Sequence, residues 1–209
     1  MIVSISKKFI FIKTRKCGGT SIQNTLLPYC DKNDFVTLGF DNLITKRISP
    51  IEEFSKLSDV RKRLKIDTSD YYKFGFVRNP YSIVLSRYFY QIKMGRIKGP
   101  TNKENFNLWC KDVYFKGGLN HNFMSDKYSN FLFDIHNEPI VDFIGKLENL
   151  EEDFKVVKTK LNLDTNLTVR KDNISNNNKT HYSEWMSDET KELVKKFFEF
   201  ELEYFGYTY

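Results

Sequence analysis

Alanine is missing from this chain altogether, while Lys, Asn, Ile, Phe and Tyr are abundant. So strong a bias weakens any argument from one lysine or one asparagine. Cysteine is scarce: Cys17, Cys30 and Cys110 share no close spacing, and an odd, sparse set excludes a disulfide framework and a thiolate zinc site. No stretch reaches the roughly 18 consecutive apolar residues that a membrane-spanning helix needs. The early run Ile2 to Ile12 is interrupted by Lys7 and Lys8 and has no cleavage site, so it does not read as a signal peptide. Without a secretory signal, the sequons at Asn166, Asn173 and Asn178 carry no meaning, and a cytoplasmic, reducing setting is expected. Only three histidines are present, at 121, 136 and 181, and no cluster of ligating side chains points to a metal.

What is present suits one domain over residues 1–209, large enough to bury a core without covalent staples. Aromatic residues make up 16% of the chain, so the core is expected to rest on Phe and Tyr. A net charge of +6 favours anionic partners. The basic run Arg61 to Lys65 lies inside an expected helix and reads as a solvated face rather than a nucleic-acid signal. Nucleic acid is therefore not expected as a partner.

The apolar, β-rich run Lys8 to Lys13 is expected to be a buried strand, followed by a glycine turn and a helix from Thr20 to Leu27. Ser49-Pro50-Ile51-Glu52 carries the N-terminal signature of a second helix. A second strand is expected at Tyr71 to Val77, and Asn79-Pro80 starts a helix ending by Gly95. Further expected elements are a helix over 103–116, a strand from Ile140 to Gly145, and helices over 149–161 and 188–205. The last is capped by Ser187, and the Asn-rich stretch 162–182 reads as a loop. Strands alternating with helices predict an α/β fold around a central parallel sheet, whose ligands bind beyond the carboxyl ends of the strands. The loops after Lys13 and after Val77 fall at those ends.

Those two loops carry the chemistry. In the first, Gly18 and Gly19 let backbone N–H groups at a helix start approach an anion, Thr20 and Ser21 add hydroxyls, and Lys13, Arg15 and Lys16 add charge. The lysine precedes the glycines, so this is not the G-x-x-x-x-G-K-[ST] loop of ordinary nucleoside triphosphatases. In the second, FGFVRNPYSIVLSRYFY, Arg78 ends a strand and Ser86 follows eight residues later on a helix. A planar guanidinium there suits a phosphate.

The pairing of RKCGGTS with FVRNPYSIVLS resembles the sulfotransferases that use 3′-phosphoadenosine-5′-phosphosulfate (PAPS). It is most similar to the carbohydrate and bacterial branch with short P-K-T-A-G-T-S loops. VDFIGKLENLEEDF (141–154) and DETKELVKKFFEFELEYFGY (188–207) resemble segments of that branch in the same order. The resemblance implies a three-layer, P-loop-like α/β fold with a central parallel sheet flanked by helices. It implies transfer of a sulfuryl group from PAPS to a hydroxyl group, of a glycan or small alcohol, without a metal. Arg15, Lys16, Cys17, Gly18, Gly19, Thr20 and Ser21 then hold the 5′-phosphosulfate, with Lys16 catalytic, while Arg78 and Ser86 hold the 3′-phosphate. Arg15 and Cys17-Gly18 depart from the family's Pro and Thr-Ala. Cys17 is read as a small residue filling the turn rather than as a reactive thiol.

Related enzymes use a His or Glu as general base, and many carry a histidine between the first helix and the second strand. Here that region reads LITKRISPIEE, with Arg47 and Ile48 and no histidine. His121, in the segment GGLNHN, is the first choice for the base because loops carry catalytic groups. His136 and His181 read as surface residues, Glu52 as part of a capping box, and Trp109 and Trp185 as core. Two other readings remain open from the residues: a P-loop-type nucleotide kinase, and a non-catalytic anion- or glycan-binding relative.

Overall fold

The computed structural model describes residues 1–37, 57–116, 123, 126–170 and 180–209. The expected helix start at Ser49-Pro50 and the positions Arg47, Ile48, Glu52 and His121 lie outside the described residues.

Two compact units are formed, the first by 1–77 and 128–173, the second by 78–127 and 174–209. The first unit holds a five-stranded sheet in the order β3-β1-β2-β4-β5. Its strands are β1 (Ile2–Ser4), β2 (Phe9–Ile12), β3 (Phe35–Val36), β4 (Tyr72–Val77) and β5 (Phe143–Lys146). β2, β4 and β5 are parallel neighbours, as the alternation of strands and helices predicts. The sheet is nevertheless mixed, because β1 pairs antiparallel with both β2 and β3.

The reason lies in the lysines that interrupt the N-terminal apolar run. Residues 5–8 form the turn of a hairpin, with Lys8 in the left-handed region at φ 51°. The strand expected at Lys8 to Lys13 is β2, and the apolar residues before the lysines form a further strand, with Ile2 opposite Phe11. Asp34 fixes the turn by accepting from Ile5 N at 2.7 Å and from the Ser4 hydroxyl at 2.8 Å. β3 has only two residues, too few for period-2 alternation to register in a sequence.

Alternation along β2 and β4 sends Phe9, Phe11, Phe74 and Phe76 to one face of the sheet. There they meet Ile22 and Leu26 of α1 (Gly19–Leu26) and Phe154, Val157 and Leu161 of α6 (Leu150–Leu161). The Phe11 and Phe74 rings stack at 5.3 Å. In a chain without alanine, this phenylalanine layer is the core of the unit, each buried ring contributing about 1.5–3 kcal/mol. α6 ends at Asn162, left-handed at φ 50°, and Asp153 secures its start by accepting from Lys146 N at 2.6 Å and the Asn149 amide at 2.9 Å. The unit also holds α2 (Leu57–Leu64), with Arg61, Lys62 and Arg63 exposed, and the short α5 (Ser129–Leu132).

The second unit is helical. α3 (Pro80–Lys93) packs with α4 (Lys103–Trp109) and α7 (Asp188–Phe197). The expected helix over 103–116 changes to a π turn at Cys110–Tyr114. The expected helix over 188–205 is two, because Phe198 leaves helical geometry (φ −107°, ψ 27°) before α8 (Glu199–Phe205). Phe198 is completely buried at this break, which periodicity alone does not show. Trp109 is buried, 5.4 Å from Tyr88 and 5.2 Å from Tyr114, whereas Trp185 is half-buried, packing 5.0 Å from Phe89.

Candidate functional site

β2 ends at Ile12, and the turn that follows it is built by three constraints within the first unit. Thr14, buried, donates its hydroxyl hydrogen to the Phe76 carbonyl of β4, stitching the turn to the neighbouring parallel strand. Cys17 is fully buried, its thiol 3.2 Å from the Arg15 carbonyl. That bears out its reading as a turn filler. Gly18, the N-cap of α1, is left-handed at φ 73° and accepts the first helical bond from Ile22 N at 3.1 Å.

No larger residue fits at either glycine. A Cβ on Gly18 would stand 2.7 Å from Leu147 Cδ1, at the exit of β5. A Cβ on Gly19 would stand 2.6 Å from Lys13 Cγ and 3.1 Å from its Cε. Lys13 shares the sheet face of Phe9 and Phe11 by strand alternation, and only 4% of it is exposed. Its stem therefore lies along the first residue of α1 and carries the ammonium toward the helix start.

Lys16 has φ 62°, the left-handed region, which costs a non-glycine residue about 1–2 kcal/mol. Strain of this kind persists only where the surroundings impose it, and it gathers at binding and catalytic positions. The first turn of α1 has no acidic side chain, and its glycine cap supplies no side-chain acceptor. The starts of α3, α4 and α7 differ, each being capped by a side chain: Asn79, Asn102 and Ser187. A helix start that presents N–H groups, two hydroxyls and nearby cations, with no internal acceptor from its cap, is complementary to an anion. Thr20 is half-buried and Ser21 is buried at 8% exposure. Arg15, Lys16, Cys17, Gly18, Gly19, Thr20 and Ser21 thus form one continuous turn. Gly19→Ala should weaken binding of a phosphorylated ligand about tenfold and lower stability by about 1–3 kcal/mol through overpacking against Lys13, as titration calorimetry and thermal melts would register.

Arg78 and Ser86 belong to the second unit. Arg78 is half-buried and directly follows β4; Ser86 is half-buried on α3, one turn beyond the half-buried Ser82. Asn79 caps α3 by accepting from Tyr81 N at 3.0 Å, and Pro80 occupies the first helical position, as the sequence indicates. The candidate base His121 lies outside the described residues. His136 is exposed in a turn ordered by Asp134, and the exposed His181 bonds through Nδ1 to Ser183 Oγ at 2.6 Å. Both are surface residues, as expected. Among the described residues no group of three or more His, Cys, Asp or Glu side chains is arranged to hold a metal, and no helix is long and apolar enough to cross a membrane.

One feature of the second unit has no counterpart in the sequence reading. Arg87 pairs with Asp126 through Nε at 2.9 Å and through Nη2, and Tyr114 donates to the same carboxylate at 3.0 Å. Asp126 and Tyr114 are fully buried and Arg87 is 5% exposed. Burial, reinforced by the Asp126 charge, holds the Tyr114 phenol well above its usual range, so it remains a donor. In the sequence Arg87 stands four residues from the apolar Ile83 and four from the polar Gln91, a place easily assigned to solvent.

Two comparisons place the chain among known proteins. The sequence model described as the Sulfotransferase family matches residues 1–208, running through both units. An uncharacterized protein of Archaeoglobus fulgidus is 36% identical over 104 residues, covering 48% of this chain and 75% of that protein.

Proposed function

This chain belongs to the sulfotransferase family, which moves sulfuryl groups, and from that premise we propose that it transfers the group from PAPS to a hydroxyl of a carbohydrate. The observation that carries the reading is the turn before α1, where a left-handed Lys16 and a glycine N-cap leave an anion cradle.

Sulfuryl transfer places the attacking oxygen and the leaving phosphate oxygen in line with sulfur. The acceptor O–S bond forms as the S–O bond to the 5′-phosphate breaks. Negative charge rises on the departing oxygen, so positioning and electrostatic stabilisation do most of the work. In this reading Lys16 places its ammonium against that oxygen, and the N–H groups at the start of α1, with the hydroxyls of Thr20 and Ser21, hold the remaining phosphosulfate oxygens. Gly18 and Gly19 keep the backbone close enough for those bonds. Arg78 and Ser86 take the 3′-phosphate, an assignment that rests on their match to the family pattern. A base removes the acceptor proton, and His121 is our candidate. The net charge of +6 suits an acidic polysaccharide acceptor.

Calorimetric titration tests the donor. Adenosine 3′,5′-bisphosphate should bind at least tenfold more tightly than ATP. Tighter ATP binding would move the chain toward the kinase reading. Radiolabelled sulfate transfer to a panel of glycans and small alcohols tests catalysis, and binding without transfer would mark a non-catalytic relative.

A further inference from the structure

The amide of Asn79 does two jobs at once. Its oxygen caps α3 by accepting from Tyr81 N at 3.0 Å. Its nitrogen donates to the Thr208 carbonyl at 3.0 Å and the Tyr182 hydroxyl at 3.3 Å, partners 129 and 103 residues away in the chain. The residue is only 8% exposed. Serine, threonine or aspartate would cap a helix as well, and Ser187 does so for α7 with Thr190 N at 3.2 Å. None of those three supplies the two N–H donors of a primary amide. The primary amide therefore serves the tail as well as the helix it starts.

The tail is shaped to receive it. Tyr182, 9% exposed, stacks on Tyr81 at 5.6 Å with 23° between the rings. Tyr209 meets Tyr81 edge-on at 5.0 Å, and Lys191 lies 4.3 Å over the Tyr209 ring. Tyr209 in turn donates to the Ser183 carbonyl at 3.4 Å. Three tyrosines thus close around the first turn of α3, with the Asn79 amide as the polar contact inside them.

Arg78 stands one residue before this anchor. Within the second unit, the peptide that follows Arg78 is thereby held.

We infer that Asn79, Tyr182 and the Thr208 carbonyl are positioning groups for Arg78, setting the direction of its guanidinium toward a phosphate. This rests on the reading of Arg78 as the 3′-phosphate residue. The consequence is selective. Loosening the tether relaxes Arg78 and costs affinity only for ligands that carry a 3′-phosphate. A helix cap that merely stabilises the fold has no such selectivity.

Two variants separate the roles. Asn79→Ser keeps a capping oxygen and loses both long-range donations; Tyr182→Phe keeps the ring stack and loses one acceptor. Each is titrated with adenosine 3′,5′-bisphosphate and with adenosine 5′-phosphate, which has no 3′-group. For the bisphosphate we expect a fall of about tenfold in Asn79→Ser and about threefold in Tyr182→Phe. The monophosphate should bind both variants as it binds the wild type. An unchanged preference for the bisphosphate in both variants overturns the tether. A wild type with no preference for the bisphosphate overturns the 3′-phosphate reading of Arg78, and the tether with it. Should Asn79→Ser fold poorly, Tyr182→Phe still decides the matter, since it leaves the cap intact.

Discussion

Lys16→Ala should lower turnover by about 100- to 1,000-fold, the range seen when one preorganised donor to a developing oxyanion is removed. Affinity for adenosine 3′,5′-bisphosphate should change less than tenfold, because the rest of the cradle is independent of this side chain. The α1 N–H groups, Arg15, Thr20, Ser21 and the Lys13 side chain beside Gly19 remain. A ground-state role for Lys16 would instead lower binding and turnover together. Lys16→Gly sharpens the test. Position 16 is left-handed at φ 62°, a conformation glycine adopts without the side-chain penalty. The glycine variant should melt no lower than Lys16→Ala and be equally inactive. If both variants turn over within tenfold of the wild type, Lys16 is not the residue that stabilises the leaving oxygen.

The parts of this molecule that a sequence states openly are those set by neighbours in the chain. The β2–turn–α1 unit follows from an apolar run, a Gly-Gly pair and a helical stretch, and each leaves a local mark. The same is true of the Asn79-Pro80 and Ser187 caps and of the Asn162 terminator. What stayed hidden depends on distant partners. The antiparallel β1 was not foreseen, because three residues before Lys7 and Lys8 are too few to mark a strand, and their pairing with β2 sets it. The strand expected from Ile140 to Gly145 runs from Phe143 to Lys146, since its register is set by pairing with Phe74 to Val77, not by its own apolar content. At the site, the cradle residues were legible as a motif, but the fit of Gly19 against the Lys13 stem was not. Nor was the tether on Asn79, whose partners lie more than 100 residues away.

The buried Arg87–Asp126 pair is the clearest such case, and the largest stability effect is expected there. Asp126→Asn keeps the shape of the side chain and removes the charge, leaving a 5% exposed guanidinium without its counter-ion. Stranding one member of a buried pair costs about 3–5 kcal/mol. For a protein of this length each kcal/mol shifts the melting temperature by about 2–4 °C, so the midpoint should fall by roughly 6–20 °C. Tyr114→Phe removes a single bond to the same carboxylate and should cost about 1.5–3 kcal/mol. The double variant Arg87→Met, Asp126→Leu is the informative partner. It strands no charge, and well-packed apolar replacements of buried pairs are often neutral or better. It should recover most of what Asp126→Asn loses, since the surroundings already include Phe123, 5.5 Å from the guanidinium, and Tyr114 stacked on Phe123 at 4.7 Å. Recovery in the double variant would mean that the pair is costly to break yet adds little net stability, and that an apolar contact can join α3 to residue 126 equally well. Failure to recover would mean that the bonds from Arg87 and Tyr114 specify a geometry that apolar packing cannot replace.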